Sequence, residues 1–336
     1  MATVLGASAF AASGIATRPP LVAGSMLASA VPASSFVVDT DCGLDDLATL
    51  ALASAANAPI RLVTTVSGLA TPGFGHQITS CFLRSIEMAQ LPVVGGAEEP
   101  PTYVAAVRKK ADWEISYSGR LTEATARVMT PIDVVKGVPI EGTAAAAADA
   151  IIEHARTDGP TTVLALGALT NLAAAVQRSW EGEFQKLVKR VIFIGDTDPS
   201  RRSYNVALDP DALRTLLRSG VEIILIGQAC YAPPSWVAAH TQSCADAPHP
   251  SCVAARAVRE LSDADPYSLC YDPLALFFHL HEDAFDVEWA RIPVRVTPGL
   301  EWRFERCQEE QRDGYVIEPS SVDLARYADF LKTSRS

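Results

Sequence analysis

From Ser35 onward, short apolar runs alternate with segments of helical spacing, and no other feature of this chain restricts its fold so tightly. Phe36-Val37-Val38 is a brief apolar run ending in acidic residues, and Leu47–Ala56 reads as a helix. The β-branched run Ile60–Val66 predicts a strand, and Leu91–Val94 predicts another. Between them His76–Ala89 carries Ile78, Phe82, Leu83 and Ile86 at helical spacing. Ala-rich Thr143–Arg156 predicts a helix, followed by a strand over Thr162–Leu166 and a helix opening at Leu172–Gln177. Val191–Ile194 and Val221–Ile226 read as strands with a helix over Pro210–Leu217 between them. Val294–Val316 is strand material, and Val322–Leu331 is an amphipathic closing helix. Such alternation predicts an α/β fold with a mostly parallel central sheet flanked by helices. Ligands of these sheets bind beyond the carboxyl ends of the strands, so the residues that follow the apolar runs are the ones to inspect.

Composition bounds the partners. With 49% hydrophobic and 20% charged residues, the 336-residue chain can bury a sizeable core. A net charge of −11 repels phosphate backbones and anionic lipid, which disfavours nucleic-acid polymers and membrane surfaces. A small neutral or cationic molecule, or a metal ion, fits that charge better; assembly into a homo-oligomer is left open. No apolar run is long enough to span a bilayer. Residues 1–35 are rich in Ala, Ser, Gly and Val, hold no acid, and place Arg18 before a Pro pair. That bias is compatible with an organelle transit peptide and weakly with a secretory signal; a low-complexity leader with no address, and a cytoplasmic default, fits equally. The expected organisation is thus a leader, 1–35, and one domain, 36–332. Glu99–Val138 lacks periodicity and reads as loop, lid or insertion. Seven cysteines in no C-x-x-C pair suggest small buried residues in a reducing compartment, with Cys244 and Cys252 flanking a loop that a disulfide could close.

The chemistry concentrates after the first apolar run, in Asp39-Thr40-Asp41-Cys42-Gly43-Leu44-Asp45-Asp46. Four carboxylates in eight residues repel one another and are tolerable only if solvated, protonated or bound to a cation. Their hard oxygens suit calcium or magnesium. Helix capping accounts for one or two aspartates at such a place, hardly for four. Three further segments stand where strands give way to helices: Val163–Asn171 (VLALGALTN), Ser203-Tyr204-Asn205 before Leu208-Asp209-Pro210-Asp211, and Cys270-Tyr271-Asp272-Pro273-Leu274-Ala275. Taken alone, GALTN could be an ordinary turn and Asp272 a plain N-cap ahead of a Pro-initiated helix.

In this order the motifs resemble the inosine–uridine preferring nucleoside hydrolase family. Its D-x-D-x-x-x-D-D signature is matched by Asp39, Asp41, Asp45 and Asp46, its TTV-x-G by Thr64–Gly68, and its V-x-x-G-A by Val93–Ala97. Its G-x-L-T-N turn is Gly167–Asn171 and its D-P-x-A turn is Asp272–Ala275, so the resemblance runs from about Phe36 to Leu331. The resemblance implies a single nucleoside-hydrolase-like domain and calcium-dependent hydrolysis of the N-glycosidic bond of ribonucleosides, giving free base and ribose. It implies that calcium is held by Asp41, Asp46, Asp272 and the carbonyl of Leu166, and that Asp41 also takes a proton from the attacking water. Asp45 and the amide of Asn205 would hold the ribose hydroxyls, and Asp39 would orient its neighbours.

Departures from the family pattern bear on the sugar and the leaving group. Leu69 stands where the family usually has Asn after TTV-x-G. Ser203 replaces the acid of E-F-N, removing a ribose-contacting carboxylate, and Tyr271 replaces the His that often precedes the last aspartate. Tyr271 is a poorer acid than His at neutrality and reads as a contact to the base. The H-G…G-L-G lid has Tyr117–Leu121 as its nearest fragment. Two competing readings follow. One is a metal-binding homologue that holds a nucleoside without cleaving it. The other is a haloacid-dehalogenase-type phosphatase, whose opening Phe36–Asp41 resembles and whose late motif Ile192–Asp196 mimics; Gly43 departs from it, and Asp45-Asp46, GALTN and DPLA go unexplained. His279 and His281 lie on an apolar helical stretch and read as core residues; His76 and His154 lack ligand partners at suitable spacing.

Overall fold

The computed structural model describes residues 35–70, 72–97, 142–198, 203–242, 253–297 and 303–333. Six strands form the central sheet: β1 Phe36–Thr40, β2 Ile60–Thr65, β3 Val93–Gly95, β4 Thr161–Ala165, β5 Val188–Ile194 and β6 Glu222–Ile226. All pair in parallel, in the order β3-β2-β1-β4-β5-β6. Both faces of each strand must therefore be apolar, as the near-continuous runs VV, VLA and IILI require. Alternate residues feed two separate cores. Val38, Val63, Leu164, Ile192 and Ile224 face one; Val37, Leu62, Val163, Val191 and Ile223 face the other.

The helices that follow these strands are α1 Leu44–Ala55, α2 Pro72–Ser85, α3 Ala144–Asp158, α4 Thr170–Arg178, α5 Phe184–Leu187, α6 Tyr204–Leu208, α7 Pro210–Ser219, α8 Pro234–Gln242, α9 Val253–Ala264, α10 Pro273–Leu280 and α11 Leu324–Thr333. α1, α2, α9, α10 and α11 cover the first core, and α3, α4 and α7 the second. Val294–Val316, read as strand material, supplies the antiparallel sheet β10-β8-β9 (β8 Ile292–Thr297, β9 Arg303–Arg306, β10 Gly314–Val316). A two-stranded ribbon joins β7 Phe285–Asp286 to β11 Ser321–Val322.

Helix boundaries depart from the sequence reading at several places. α3 and α7 run two residues further, and α11 spans Leu324–Thr333 rather than Val322–Leu331 because Val322 pairs in β11. α1 and α2 start earlier. α1 opens at Leu44 rather than Leu47, because Gly43 takes the N-cap position and Asp46 folds back onto the Gly43 N–H. Asp45 and Asp46 consequently occupy the first turn, where the positive end of the helix dipole favours acids. α2 runs four residues ahead of His76–Ala89; Glu87, with φ 64°, takes the left-handed conformation beyond its end. His279 packs on Phe36 with ring centroids 4.7 Å apart, and His281 on Phe277 and Phe330, so both serve the core as expected. His154 pairs with Asp158 at 3.0 Å. Cys42, Cys81, Cys230, Cys270 and Cys307 form no disulfide, and the first, third and fourth are buried. The leader, Glu99–Val138, the Tyr117–Leu121 fragment, Cys244 and Cys252 fall outside the described residues, Ser35 apart.

Candidate active site

Strand order reverses between β1 and β4, the place where an open parallel sheet leaves a crevice at its carboxyl edge. The acid-rich turn from β1 to α1 lies there. Asp39 sits in β1 in register with Thr64 and Ala165, and period-two alternation sends Asp41 to the same side. Cys42 then adopts φ 65°, a left-handed conformation rare for a residue with a Cβ, and turns the chain toward α1. The Thr40 hydroxyl fixes this corner, accepting the Cys42 N–H at 2.9 Å and donating to Asp46. Asp46 also accepts the Gly43 N–H at 2.9 Å, and Asp41 accepts the Leu69 N–H at 3.1 Å.

Asp272 arrives from the opposite end of the sequence, just ahead of α10. It occupies the N-cap position yet makes no side-chain cap, so the plain-cap alternative fails. Its carboxylate turns instead into the cluster, where ligand oxygens of Asp45, Asp46 and Asp272 lie within 4.8 Å of one another. Asp46 stands within hydrogen-bonding range of both Asp41 and Asp272. Asp39, Asp41, Asp46 and Asp272 are each at most 3% exposed. Burial, and then the neighbouring negative charges, drive Asp41, Asp45 and Asp272 well above the usual carboxylate range. Asp46 is raised by burial against the pull of its hydrogen bonds from Thr40 and Gly43. No Lys or Arg lines this crevice among the described residues. Clustered carboxylates without a cationic side chain are the donor set a hard cation takes, so the residues fit a metal ion of that kind.

Behind the acids lies a layer of polar groups that the motif residues build. Asn171 donates to Asp39 at 2.8 Å and to the Thr65 carbonyl at 3.0 Å, and accepts the Ala97 N–H at 3.0 Å. Thr64 donates to Asp39 at 2.6 Å, and Thr170 to Asp209 at 2.7 Å. Burial pushes Asp39 up to about 7 despite the hydrogen bonds from Thr64 and Asn171, and its Oδ2 has no partner. Two glycines are required by close approach. A Cβ at Gly68 would stand 2.2 Å from Asp41 Oδ2, and one at Gly167 2.8 Å from Asp41 Cβ. The TTV-x-G and GALTN stretches thus press on Asp39 and Asp41, and V-x-x-G-A braces Asn171 behind them.

All eight residues singled out from the sequence, Asp41, Asp45, Asp46, Leu166, Ser203, Asn205, Tyr271 and Asp272, line one cavity of about 440 Å³. Asn205 commits its amide nitrogen to the Leu166 carbonyl at 2.7 Å, leaving its amide oxygen for a ligand hydroxyl and one Leu166 lone pair for an ion. The Tyr271 ring meets Tyr231 edge-on at 4.9 Å and stacks with Tyr267 at 6.4 Å. Sequence reasoning missed Gln228 and Tyr231, which share the lining, and met Asp196 only as the end of the phosphatase-like Ile192–Asp196 stretch. They follow β5 and β6, and the rule of strand carboxyl ends was the signal that could have found them.

Known proteins resemble this chain in sequence and in fold. The sequence model of the family described as inosine-uridine preferring nucleoside hydrolase matches residues 36–326. A non-specific ribonucleoside hydrolase, RihC, of Escherichia coli is 28% identical over 200 residues, which cover 56% of this chain and 60% of that protein. RihC of Escherichia fergusonii is 30% identical over 203 residues, with the same coverage. The chain thus spans about three-fifths of the length of these relatives. Among solved structures, a plant nucleoside hydrolase, PpNRh1, superposes with a TM-score of 0.66 at 19% identity, covering 91% of this chain and all of that one. An inosine-guanosine nucleoside hydrolase gives 0.66 at 18% identity, over 90% and 98% of the two chains.

Proposed function

The chain belongs to the inosine-uridine preferring nucleoside hydrolase family, and from that premise we propose that it hydrolyses the N-glycosidic bond of ribonucleosides to free base and ribose, with calcium held in the carboxylate cluster. This supersedes the phosphatase reading of Phe36–Asp41. The observation that carries the proposal is the convergence of Asp41, Asp45, Asp46 and Asp272 in one cavity without a cationic side chain.

Asp46, Asp272, Asp41 and the Leu166 carbonyl would hold the ion. When bound, it lowers the pKa of a neighbouring water and offsets the mutual repulsion of the acids. Asp41 is pinned by the Leu69 N–H through one oxygen, and its other oxygen is the group that takes the proton as water attacks the anomeric carbon. The surrounding carboxylates stabilise the positive charge that grows on the sugar ring. Asp45 and the free oxygen of Asn205 receive ribose hydroxyls, with Ser203 beside them. Tyr271, backed by Tyr231, contacts the base. Burial and its neighbours hold the Tyr271 hydroxyl above the usual tyrosine range, so it departs further from what a general acid at neutrality needs.

A screen of nucleosides for free-sugar release, with and without chelator, tests this reading. Release that stops on chelation and returns with calcium is the expected outcome. Full activity in metal-stripped protein removes the cation from the mechanism. Nucleoside binding without any base release replaces the enzyme with a binding protein, the outcome to which the substitutions at Leu69, Ser203 and Tyr271 would point.

A further inference from the structure

The sugar pocket has lost the carboxylate expected at Ser203, yet an acid still stands on that side of it. Asp196 follows β5 and lines the same cavity as Ser203 and Asn205. Its backbone is set by its neighbours: the Gly195 N–H bonds the Ile226 carbonyl at 3.2 Å, and Asn205 reaches the Ile194 carbonyl at 3.4 Å. Its side chain is held at one end only. Asp196 Oδ1 accepts the Asp198 N–H at 2.8 Å, and no other described group bonds the carboxylate. It is half-buried, and burial first, then its charge ahead of that of Asp272, raises the pKa of the Tyr231 hydroxyl. Beyond Asp196 and Gln228 the crevice continues into a second depression of about 550 Å³, lined also by Thr197, Glu305, Arg306 and Glu318.

We propose that Asp196 takes over the work of the missing carboxylate and accepts the primary 5′-hydroxyl of the ribose. This rests on the nucleosidase reading above. A carboxylate-rich cation centre selects the vicinal pair of hydroxyls on a ribose, because two adjacent oxygens can enter one coordination sphere. The sugar's remaining hydroxyl then lies at the end away from the cluster, on the wall that Asn205 and Asp196 form. A carboxylate oxygen with no partner among the described residues is an acceptor for one O–H donor, and fixing the other oxygen to the Asp198 N–H orients it without removing its charge. The same charge repels a 5′-phosphate, whereas Glu305 and Glu318 in the depression beyond are already paired with Arg295 and Arg306. Asp196 is therefore a specificity-determining residue that favours nucleosides over nucleotides.

The test compares kcat/KM for a ribonucleoside and for its 5′-deoxy analogue in wild type and in Asp196→Ala. A hydrogen bond to a charged group corresponds to about 10- to 100-fold, so wild type should prefer the parent nucleoside by that factor. Asp196→Ala should erase most of the preference while leaving the 5′-deoxy substrate and calcium affinity, measured by calorimetry, unchanged. Adding Ser203→Glu to Asp196→Ala should restore the preference. Equal losses on both substrates, no loss on either, or weakened calcium binding each overturn the assignment. Failure of the parent reading is separately visible as no base release by wild type from any ribonucleoside. In that event calorimetric binding of the two nucleosides carries the same comparison, and equal affinities in wild type overturn the role of Asp196.

Discussion

Replacing Asn171 by alanine removes at once a donor to Asp39, a donor to the Thr65 carbonyl and the acceptor of the Ala97 N–H. All four residues are buried, so water does not replace the lost bonds, while Asp39 keeps the Thr64 hydroxyl. We expect Asn171→Ala to destabilise the protein by about 2–4 kcal/mol, read as the shift in urea midpoint at constant slope. An unchanged midpoint would mean that water reaches this layer. For the acids themselves the readout is turnover. Asp41→Ala should lower kcat on a natural nucleoside by about 10²–10⁴-fold, the usual contribution of a general base. Tyr271→Phe should cost less than that, and should barely touch a riboside with a good leaving group. Abolished hydrolysis of natural nucleosides with the activated riboside spared would instead make Tyr271 an essential acid. At this scale the sequence was most legible where charge was dense, since four aspartates in eight residues have few benign explanations. It was least legible for Asp196, Gln228 and Tyr231. They are polar residues past β5 and β6, and only the fold shows that these two loops share a cavity with the acids.

Turns and strand ends translate these side chains into a geometry. The loop through Gly68 lies so close to Asp41 that a methyl group there must displace the carboxylate. Gly68→Ala should therefore weaken calcium binding and turnover together by tenfold or more, an estimate of roughly 1–3 kcal/mol for overpacking at the site. Intact activity in Gly68→Ala would show that this loop yields freely. Away from the site, β10 is tied to α7 by Asp313, which takes Arg214 and Arg218 at 3.0 and 2.7 Å and the Val296 N–H at 2.9 Å. Burial raises Asp313, but these donors outweigh it and hold the carboxyl below its usual range. A lowered folded-state pKa contributes stability that is present above the unfolded value, about 3.9, and lost as pH falls through the folded one. Asp313→Ala should thus cost about 1–3 kcal/mol at neutral pH, and the gap to wild type should narrow below pH 4. A gap constant from pH 7 to pH 3 would show that packing, not charge, is lost. Element types were read correctly for nearly every strand and helix of the central layer, because buried parallel strands must be continuously apolar. Boundaries were harder. The start of α1 depends on a side chain folding back onto Gly43, which hydrophobic spacing does not encode.

Across the whole molecule the carboxylate cluster joins distant parts of the chain. Asp41, Asp45 and Asp46 come from the turn after β1 and the start of α1, while Asp272 comes from more than two hundred residues later. An ion held between them binds only the folded state. At a calcium concentration a hundred times its dissociation constant, the linkage should add about 2.7 kcal/mol of stability. A melting temperature that does not respond to calcium or chelator would contradict that. Strand order has a further consequence, for kinetics. β1 lies at the centre of the sheet, yet its β4 side cannot be filled until more than a hundred further residues have been added. Asp272 is tied to still later chain, so its loop closure carries a large entropic cost that early, local contacts do not repay. The transition state for folding should then hold β1 and its neighbours together while Asp272 is still apart. Interactions formed after that barrier leave the folding rate alone and slow unfolding. Calcium should accordingly shift the unfolding limb of a chevron plot and leave the folding limb where it is. An ion that accelerates folding would instead place Asp272 in the nucleus, and the order of assembly proposed from the topology would be reversed.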